Sequence, residues 1–353
     1  MNARSIRLLV VDDSAVMRQS MTALCKRAGD IDVTVASDPL IAMTKIARER
    51  PDVVLLDIEM PRMDGLTFLR RIMSEDPLPV VVCSALAGRG TEVALRALEE
   101  GAVDVVQKPR MALHEFLSES NEMLLDTIRA AASARARRRL AVKAAAPQPA
   151  APRMTVRNTS AKVVAIGAST GGTEALREIL EALPPDAPGL VIVQHMPEIF
   201  TAAFARRLNE TCRIEVKEAA DGDRVLDGRA LIAPGNRHTV LQRDGAHYRV
   251  AVQDGPLVSR HRPSVDVLFQ SVAAAAGSNA IGVILTGMGN DGAAGLLDMR
   301  TAGAITLAQD EASSVVFGMP GAAIAKGAAQ SIHALRMIPS VIIHAAAKLR
   351  EAG

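Results

Sequence analysis

Short apolar, β-branched runs alternate with helix-length segments through residues 5–132 of the chain. Each run is apolar almost throughout, which is typical of strands buried on both faces of a parallel sheet. Five such βα units predict a doubly wound α/β domain. The strands predicted for this domain are Leu8–Val11, Val33–Ala36, Val53–Leu56, Val80–Cys83 and Val103–Val106.

A second alternating pattern begins at Lys162, and it predicts a second α/β domain with a mostly parallel sheet. The segment Arg237–Val252 instead predicts an antiparallel β-hairpin, because its two halves flank the turn residues Arg243–Ala246. The strands predicted for the parallel sheet are Val163–Ile166, Leu190–Gln194, Ala230–Ala233, Ile281–Leu285 and Ala304–Leu307.

Between the two patterns the chain is rich in alanine, proline and arginine and cannot bury a core. We therefore predict a first domain over residues 1–125, a linker over residues 126–160 and a second domain over residues 161–353. The linker is either a solvated spacer or a basic strip that docks an acidic partner.

Composition narrows the function classes. The 353 residues carry a net charge of only +2, and aromatic residues make up 2% of the chain, so base or sugar stacking has few side chains to use. We expect no nucleic acid partner. The N-terminus lacks a signal-peptide pattern, no run approaches the roughly 18 apolar residues of a membrane span, and three widely spaced cysteines fit a reducing compartment. These features predict a cytoplasmic protein without membrane insertion.

Polar side chains follow several strands of the first predicted sheet. Asp12 and Asp13 close the first strand, Asp57 the third, Ser84 the fourth and Lys108 the fifth. In a parallel sheet these ends meet at one edge, where three carboxylates suit Mg²⁺ and the hydroxyl and ammonium suit phosphoryl oxygens. Each aspartate taken alone could equally be a helix N-cap.

Together with Met60–Gly65, these residues resemble the receiver domain of two-component response regulators over residues 5–125. The resemblance implies that Asp57 accepts a phosphoryl group from a chemotaxis histidine kinase. It implies that Asp12 and Asp13 hold Mg²⁺ with Asp57, and that Ser84 and Lys108 sense the phosphate. Receivers usually carry Tyr or Phe three residues before the lysine, and here that position is Val105.

In the second domain, Ser169 lies within Gly167–Gly171, a Gly-x-Ser-x-Gly strand-to-helix turn of the kind that exposes a nucleophile. The helix predicted over Thr173–Leu180 would direct its amino end at a developing oxyanion, and Thr170 adds a hydroxyl. Such a glycine-rich turn can also cradle a phosphate or dinucleotide.

A serine nucleophile requires a base, and His195 follows the next strand directly. Asp291 lies in the glycine-rich loop Thr286–Gly292 after a third strand, where it could hold the imidazole in one tautomer. The backbone amide of Met288 is a candidate oxyanion donor. His261 is either a substrate-groove contact or part of a helix cap formed by Ser264.

The motifs Gly167–Thr173, Gln194–Pro197, Ala233–Gly235 and Thr286–Gly292 resemble the chemotaxis protein-glutamate methylesterase family. The resemblance implies that Ser169 is the nucleophile, that His195 is the general base and acid, and that Asp291 orients His195. It further implies hydrolysis of glutamate methyl esters on methyl-accepting chemotaxis receptors, deamidation of glutamines, and no cofactor for ester hydrolysis.

The order of the two predicted domains suggests phosphorylation control. We hypothesise that the unphosphorylated receiver blocks the Ser169 edge, and that phosphoryl-Asp57 shifts the population to an open form. Two other functions compete with ester hydrolysis. A DNA-binding output would require a basic recognition helix, which the nearly neutral second half does not offer. A binding module that only docks partners or nucleotides is the stronger alternative.

Overall fold

The computed structural model describes residues 5–60, 63–84, 89–108, 119–134 and 162–351. Contacts between Cα atoms divide the chain into two compact units, residues 1–143 and residues 144–353. Within the described ranges, no helix is both long and apolar enough to cross a membrane.

The first unit is the predicted doubly wound α/β domain. All neighbouring strands of its five-stranded sheet are parallel, in the order β2-β1-β3-β4-β5. Its elements are β1 (Ile6–Val11), α1 (Ala15–Ala28), β2 (Ile31–Ala36), α2 (Pro39–Arg48), β3 (Val53–Asp57), α3 (Gly65–Glu75), β4 (Val80–Ser84), α4 (Arg89–Glu99), β5 (Asp104–Gln107) and α5 (Glu119–Ser133).

The predicted start of the linker at residue 126 is wrong, because α5 continues to Ser133. Ile128 and Ala131 on this helix are fully buried in the core of the first unit. Arg129 forms two hydrogen bonds to Asp30, at 2.8 and 2.9 Å. Alanine is a strong helix former, so an alanine-rich stretch extends a helix once one of its faces has a core to pack on. Most of the predicted linker lies outside the described residues.

The second unit is a larger α/β domain. Its seven strands, all parallel to their neighbours, follow the order β14-β13-β12-β6-β7-β9-β8, and β10 and β11 form a separate antiparallel hairpin. Its strands are β6 (Val163–Ala168), β7 (Gly189–Gln194), β8 (Glu215–Glu218), β9 (Arg229–Ile232), β10 (His238–Asp244), β11 (His247–Gln253), β12 (Ala280–Ile284), β13 (Ile305–Gln309) and β14 (Ser331–His333). Its α-helices are α6 (Gly172–Ala182), α7 (Glu198–Thr211), α8 (Val265–Ala276), α9 (Ala293–Thr301), α10 (Met319–Ala325) and α11 (Ile338–Glu351).

The sequence pattern missed the two edge strands of this sheet, β8 and β14. β8 reads Glu-Val-Lys-Glu and buries only Val216, whereas β14 buries none of its three residues. A strand at a sheet edge keeps part of its surface in water, so it lacks the continuous apolar run that identifies a central strand.

The hairpin packs on α8, where the N–H of Leu241 donates to the hydroxyl of Ser271 at 2.9 Å. Side chains of the hairpin, of α8 and of the central strands share one hydrophobic core that includes Leu241, Val250, Phe269 and Val191. This core fixes α8 against the sheet. The amino end of α8 thereby lies close to the carboxyl ends of the central strands.

Candidate active site and phosphoacceptor site

Ser169, His195 and Asp291 follow three neighbouring strands at the carboxyl edge of the second sheet. In the strand register Ala168 pairs with Gln194 across β6 and β7, so Ser169 and His195 emerge side by side. The N–H of His195 donates to the carbonyl of Ala168 at 3.0 Å. On the other side of β6, the loop after β12 carries Asp291. Chain order reverses across β6, and ligands bind at such switch points in open α/β sheets.

His195 and Asp291 form a buried pair. Nε2 of His195 lies 2.9 Å from Oδ2 of Asp291, and the two side chains are 5% and 1% exposed. A carboxylate can only accept, so Nε2 carries the proton and Nδ1 of the neutral ring carries the lone pair. Among the described residues, Nδ1 is buried and finds no hydrogen-bond partner. The ring therefore has one nitrogen held in place and one ready to accept a proton.

Asp291 is held ionised by donors around it. Its Oδ1 accepts the Ser264 hydroxyl at 2.8 Å and the Asp266 N–H at 3.0 Å, and its Oδ2 also accepts the Val265 N–H at 2.7 Å. Burial alone would raise its pKa, but the hydrogen bonds from His195 and from these backbone groups outweigh burial and lower the pKa to about 2. The carboxylate is thus charged at neutral pH and fixes the imidazole tautomer.

The Ser169 turn is fixed by backbone hydrogen bonds. The N–H of Ser169 donates to the carbonyl of Thr286 at 3.0 Å, and the carbonyl of Ser169 accepts the Gly172 N–H at 2.7 Å. Gly171 has a positive φ of 76°, which glycine adopts without strain. A Cβ on Gly287 would lie 2.7 Å from Cβ of Ser169, so the loop after β12 can pass this closely only with glycine there.

Backbone N–H groups beside Ser169 are available to an oxyanion. The N-cap residue of α6 is Gly171, which provides no side-chain cap, and the described residues provide no acceptor for the N–H groups of Thr170 and Gly171. The N–H of half-buried Met288 likewise finds no acceptor in the described part of the chain. Thr170 is itself buried, and its carbonyl accepts the Thr286 hydroxyl at 3.0 Å. The roles predicted for Thr170 and Met288 stay predictions.

Gln194 is a contributor that the sequence reasoning missed. Its side-chain Nε2 donates to the carbonyls of both Ser169 and His195, at 2.9 and 3.0 Å. One amide thus ties the backbone of the predicted nucleophile to the backbone of the predicted base. Its Oε1 would lie 2.1 Å from a Cβ on Gly172, so the side chain packs against a glycine of the turn. The signal in the sequence that could have identified Gln194 is its position directly before His195 in the Gln-His-Met-Pro segment.

Of the two roles that the sequence left open at His261, the helix cap belongs to Ser264, and a substrate contact by His261 stays a prediction. The His261 ring stacks on His195, with centroids 3.7 Å apart and planes 6° from parallel. Its Nδ1 donates to the Ser259 carbonyl at 2.7 Å. Burial, and next the neighbouring His195, lower the pKa of His261 to about 3, so the stacked ring is neutral at neutral pH. Ser264 is the N-cap of α8.

The first sheet carries a second cluster of charged side chains. Nζ of Lys108 lies 2.6 Å from Oδ2 of Asp57 and 3.0 Å from Oδ2 of Asp12, and both aspartates are buried. Burial raises the pKa of Asp12, although Lys108 opposes the effect. For Lys108, burial alone would lower the pKa, but hydrogen bonds to Asp57 and Asp12 outweigh it and raise the pKa.

The remaining predicted receiver residues lie around this cluster. One carboxylate oxygen from each of Asp12, Asp13 and Asp57 lies within 4.8 Å of the other two, and Asp13 is exposed. This all-oxygen donor set fits a hard divalent cation such as Mg²⁺. Ser84 is buried at the end of β4, and its carbonyl accepts the Lys108 N–H at 2.9 Å. Val105 is buried in β5.

Comparison with known proteins matches both units. The CheB methylesterase family model matches residues 164–342, and the response regulator receiver domain model matches residues 8–118. A protein-glutamate methylesterase/protein-glutamine glutaminase of Anaeromyxobacter dehalogenans is 58% identical over 96% of this chain and 98% of its own length. One of Rhodospirillum rubrum is 56% identical over 97% of this chain and 99% of its own length.

A solved structure extends the match to three dimensions. The CheB methylesterase catalytic domain of Thermotoga maritima is 38% identical and covers 52% of this chain and 97% of its own length, with a TM-score of 0.51. The receiver model matches the first α/β unit, and the methylesterase model matches the second. The similarity to the two relatives extends over nearly the full length of the chain. The chain therefore belongs to the CheB methylesterase family.

Proposed function

We propose that this protein hydrolyses glutamate methyl esters on chemoreceptors, and that phosphorylation of Asp57 regulates the hydrolysis. The observation that carries the proposal is the buried His195–Asp291 pair, whose Nδ1 has no partner among the described residues and which stands beside the Ser169 turn. A serine hydrolase needs an imidazole with one nitrogen held by a carboxylate and the other free to accept a proton, whereas a docking module does not.

In the first step, Oγ of Ser169 attacks the ester carbonyl carbon while Nδ1 of His195 takes the hydroxyl proton. The carbonyl oxygen becomes an oxyanion, for which the N–H groups of Thr170, Gly171 and Met288 are candidate donors. The C–O bond to the methoxy group then breaks, and the proton on Nδ1 leaves with it as methanol. Asp291 stabilises the imidazolium that exists between these transfers.

In the second step, a water molecule attacks the acyl-serine and gives a proton to Nδ1 of His195. The bond from the acyl carbon to Oγ of Ser169 breaks, and the proton returns to Ser169. The product is a glutamate carboxylate. A glutamine side chain follows the same course with ammonia in place of methanol, which accounts for the proposed deamidation without a second site or a cofactor.

The first unit supplies the regulation. An oxygen of the Asp57 carboxylate would form a bond to the phosphorus of a phosphoryl group as the bond to the donor's leaving group breaks. Mg²⁺ held by Asp12, Asp13 and Asp57 would neutralise charge on that group. Nζ of Lys108 lies 2.6 Å from Oδ2 of Asp57 in this structure. After phosphorylation it would form a hydrogen bond with a phosphoryl oxygen instead. We infer that a chemotaxis histidine kinase is the phosphoryl donor. We also infer a cytoplasmic location, because the proposed kinase and chemoreceptor require the protein to be there.

The direct test is methanol release from a methylated receptor fragment, measured with and without a small phosphodonor such as acetyl phosphate. The proposal expects release by the parent chain, faster release with the phosphodonor, and loss of about a thousandfold or more for Ser169→Ala. Ser313→Ala, a serine outside the site that bonds Gln309 and Leu335, is the matched control and should retain activity.

The binding-module alternative makes the opposite prediction for chemical labelling. A fluorophosphonate reagent reacts with a serine that a neighbouring base activates, whereas a serine in a phosphate or nucleotide cradle stays unmodified. Labelling at Ser169, located by mass spectrometry and lost in His195→Ala, would support hydrolysis. Unlabelled Ser169 together with absence of methanol release would refute it.

A further inference from the structure

The buried carboxylates of Asp266 and Asp291 each hold the start of the other's helix. Asp291 comes just before α9, yet its carboxylate accepts the N–H groups of Val265 and Asp266 in the first turn of α8. Asp266 lies in α8, yet its Oδ1 accepts the Gly295 N–H in the first turn of α9, at 2.7 Å. The two helices are therefore capped reciprocally.

Within the described residues, helix α9 has no side-chain cap of its own. Its N-cap position is Gly292, which has a φ of 87° and no side chain to accept a hydrogen bond. The N–H groups in the first turn of a helix need acceptors, particularly where they are buried. Asp266, which is 7% exposed, supplies an acceptor from the neighbouring helix. Without this carboxylate, the segment that carries Asp291 loses a buried anchor.

The two helix starts are packed too tightly to relax independently. A Cβ on Gly295 would lie 2.9 Å from the Asp266 carbonyl oxygen and 2.7 Å from Cβ of Phe269. Phe269 is fully buried in the core between α8 and the sheet. A shift of the α9 start therefore moves Asp291 relative to α8, and its four hydrogen bonds cannot all follow.

The pKa of Asp266 depends on its burial, on the charge of Asp291 and on the backbone N–H groups around it. Burial raises the pKa of Asp266, and the nearby charge of Asp291 raises it further, while the N–H groups of Gly295, Gly292 and Ala294 lower it. Two buried carboxylates stay ionised near each other only where donors and helix dipoles surround both. The backbone at the two helix starts provides these donors.

We propose that Asp266 is a positioning residue for hydrolysis: by capping α9 it fixes the Asp291 carboxylate, and through Asp291 it fixes the orientation of the His195 ring. The proposal rests on the proposed function of Ser169 and His195. Asp266 acts through Asp291 and does not touch the reacting atoms. Small misplacements of a catalytic group can reduce rates by about a hundredfold.

The test uses the full-length chain and the rate at which a fluorophosphonate labels Ser169, which does not depend on the identity of the natural substrate. Asp266→Ala removes the cap, whereas Asp266→Asn keeps one acceptor oxygen of the same size. We expect Asp266→Ala to slow labelling by at least about tenfold and Asp266→Asn to restore most of the rate. Asp298→Ala removes an exposed carboxylate from the same helix α9 and should change nothing.

Rescue by Asp266→Asn, together with the folded fraction of each variant, separates positioning from a loss of folded protein. Circular dichroism measures the folded fraction, and the labelling rates are compared per folded molecule. A labelling rate of folded Asp266→Ala within threefold of the parent rate, or equal losses in the Ala and Asn variants, would overturn the proposal.

The proposed function can fail separately. If the parent chain labels at Ser169 but releases no methanol from a methylated receptor fragment, the substrate assignment is wrong while the Asp266 comparison still stands. If Ser169 does not label in the parent chain, the hydrolase itself is refuted.

Discussion

His195 binds Asp291 through Nε2, at 2.9 Å, and its Nδ1 has no hydrogen-bond partner among the described residues, so Nδ1 is the nitrogen that would serve Ser169 in the proposed hydrolysis. In the serine protease template the aspartate holds Nδ1 and the serine uses Nε2. The two arrangements are chemically equivalent, since either nitrogen of a neutral imidazole can be the acceptor once the other is a donor. In this chain the Ser169 turn emerges beside the backbone of His195.

Replacing Asp291 by asparagine should abolish most of the activity while leaving the shape of the site nearly intact. The Asn amide can donate to Nε2, which would place the imidazole proton on Nδ1 and leave Ser169 without a base. We expect kcat for methanol release to fall by about 10³ to 10⁴, with a much smaller change in KM. The matched variant Asp298→Asn, exposed on α9, should retain parental kcat. An Asp291→Asn enzyme within tenfold of the parent would contradict the role of the pair.

Gln194→Met should separate the backbone link from packing, because methionine has nearly the volume of glutamine but no donor. The carbonyls of Ser169 and His195 would both lose the Nε2 hydrogen bond. We expect a loss of about 1 to 3 kcal/mol in the free energy of unfolding of the second unit and a fall in kcat of about ten- to a hundredfold. Urea unfolding and methanol release measure the two effects. Gln270→Met, exposed on α8, is the control.

His261 should make the second unit less stable as pH falls. Its pKa is about 3 in the folded chain and 6.5 for an unperturbed histidine, so between these values the unfolded chain binds a proton that the folded chain does not. The free energy of unfolding should therefore fall as pH decreases from about 6.5 towards 3, by at most about 1.4 kcal/mol per pH unit. His261→Phe keeps a ring against His195 and removes this titration.

The measurement is urea unfolding of the parent and His261→Phe chains at pH 7 and pH 5, followed by far-ultraviolet circular dichroism. The second unit of the parent should lose more stability between the two pH values than that of the variant. Equal pH dependence in the two chains would mean that His261 is protonated in the folded protein, contrary to its burial against His195.

Asp57→Asn should remove phosphorylation and its effect without removing basal hydrolysis, because Asp57 belongs to the first sheet and the proposed triad to the second. The variant should incorporate no phosphate from a radiolabelled small phosphodonor and show no stimulation of methanol release. Asp32→Asn, exposed on β2, should be phosphorylated and stimulated as the parent is. Stimulation of Asp57→Asn by the phosphodonor would show that another group accepts the phosphate.

Much of both sites could be predicted from strand periodicity. A buried parallel strand is a continuous apolar run, and the polar residue that ends it must face the carboxyl edge of the sheet. Strand periodicity predicts that Asp12, Asp57 and Lys108 lie together, and Nζ of Lys108 lies 2.6 Å from Oδ2 of Asp57 and 3.0 Å from Oδ2 of Asp12. The same periodicity leads from Ser169 to His195 and Asp291.

Strand periodicity does not reveal a role that depends on what packs against a residue. Gln194 reads as the last residue of a buried strand, and its two carbonyl acceptors become visible only when β6 and β7 align in register. Asp266 reads as an ordinary acidic residue in a first helical turn. The alanines at the end of α5 resemble the linker that follows, and only contact with the sheet makes that segment a helix with a buried face.

Apolar periodicity and turn chemistry are local properties, so the amino-acid sequence alone predicts the two α/β domains, the family motifs and the row of polar residues at the strand ends. The packing of distant segments sets which nitrogen of His195 meets Asp291, the stacking of His261 on the same ring, and the reciprocal capping of two helices by Asp266 and Asp291. These contacts join residues far apart in the chain. Hydrogen-bond direction depends on how such segments dock, and no local pattern of residues encodes that docking.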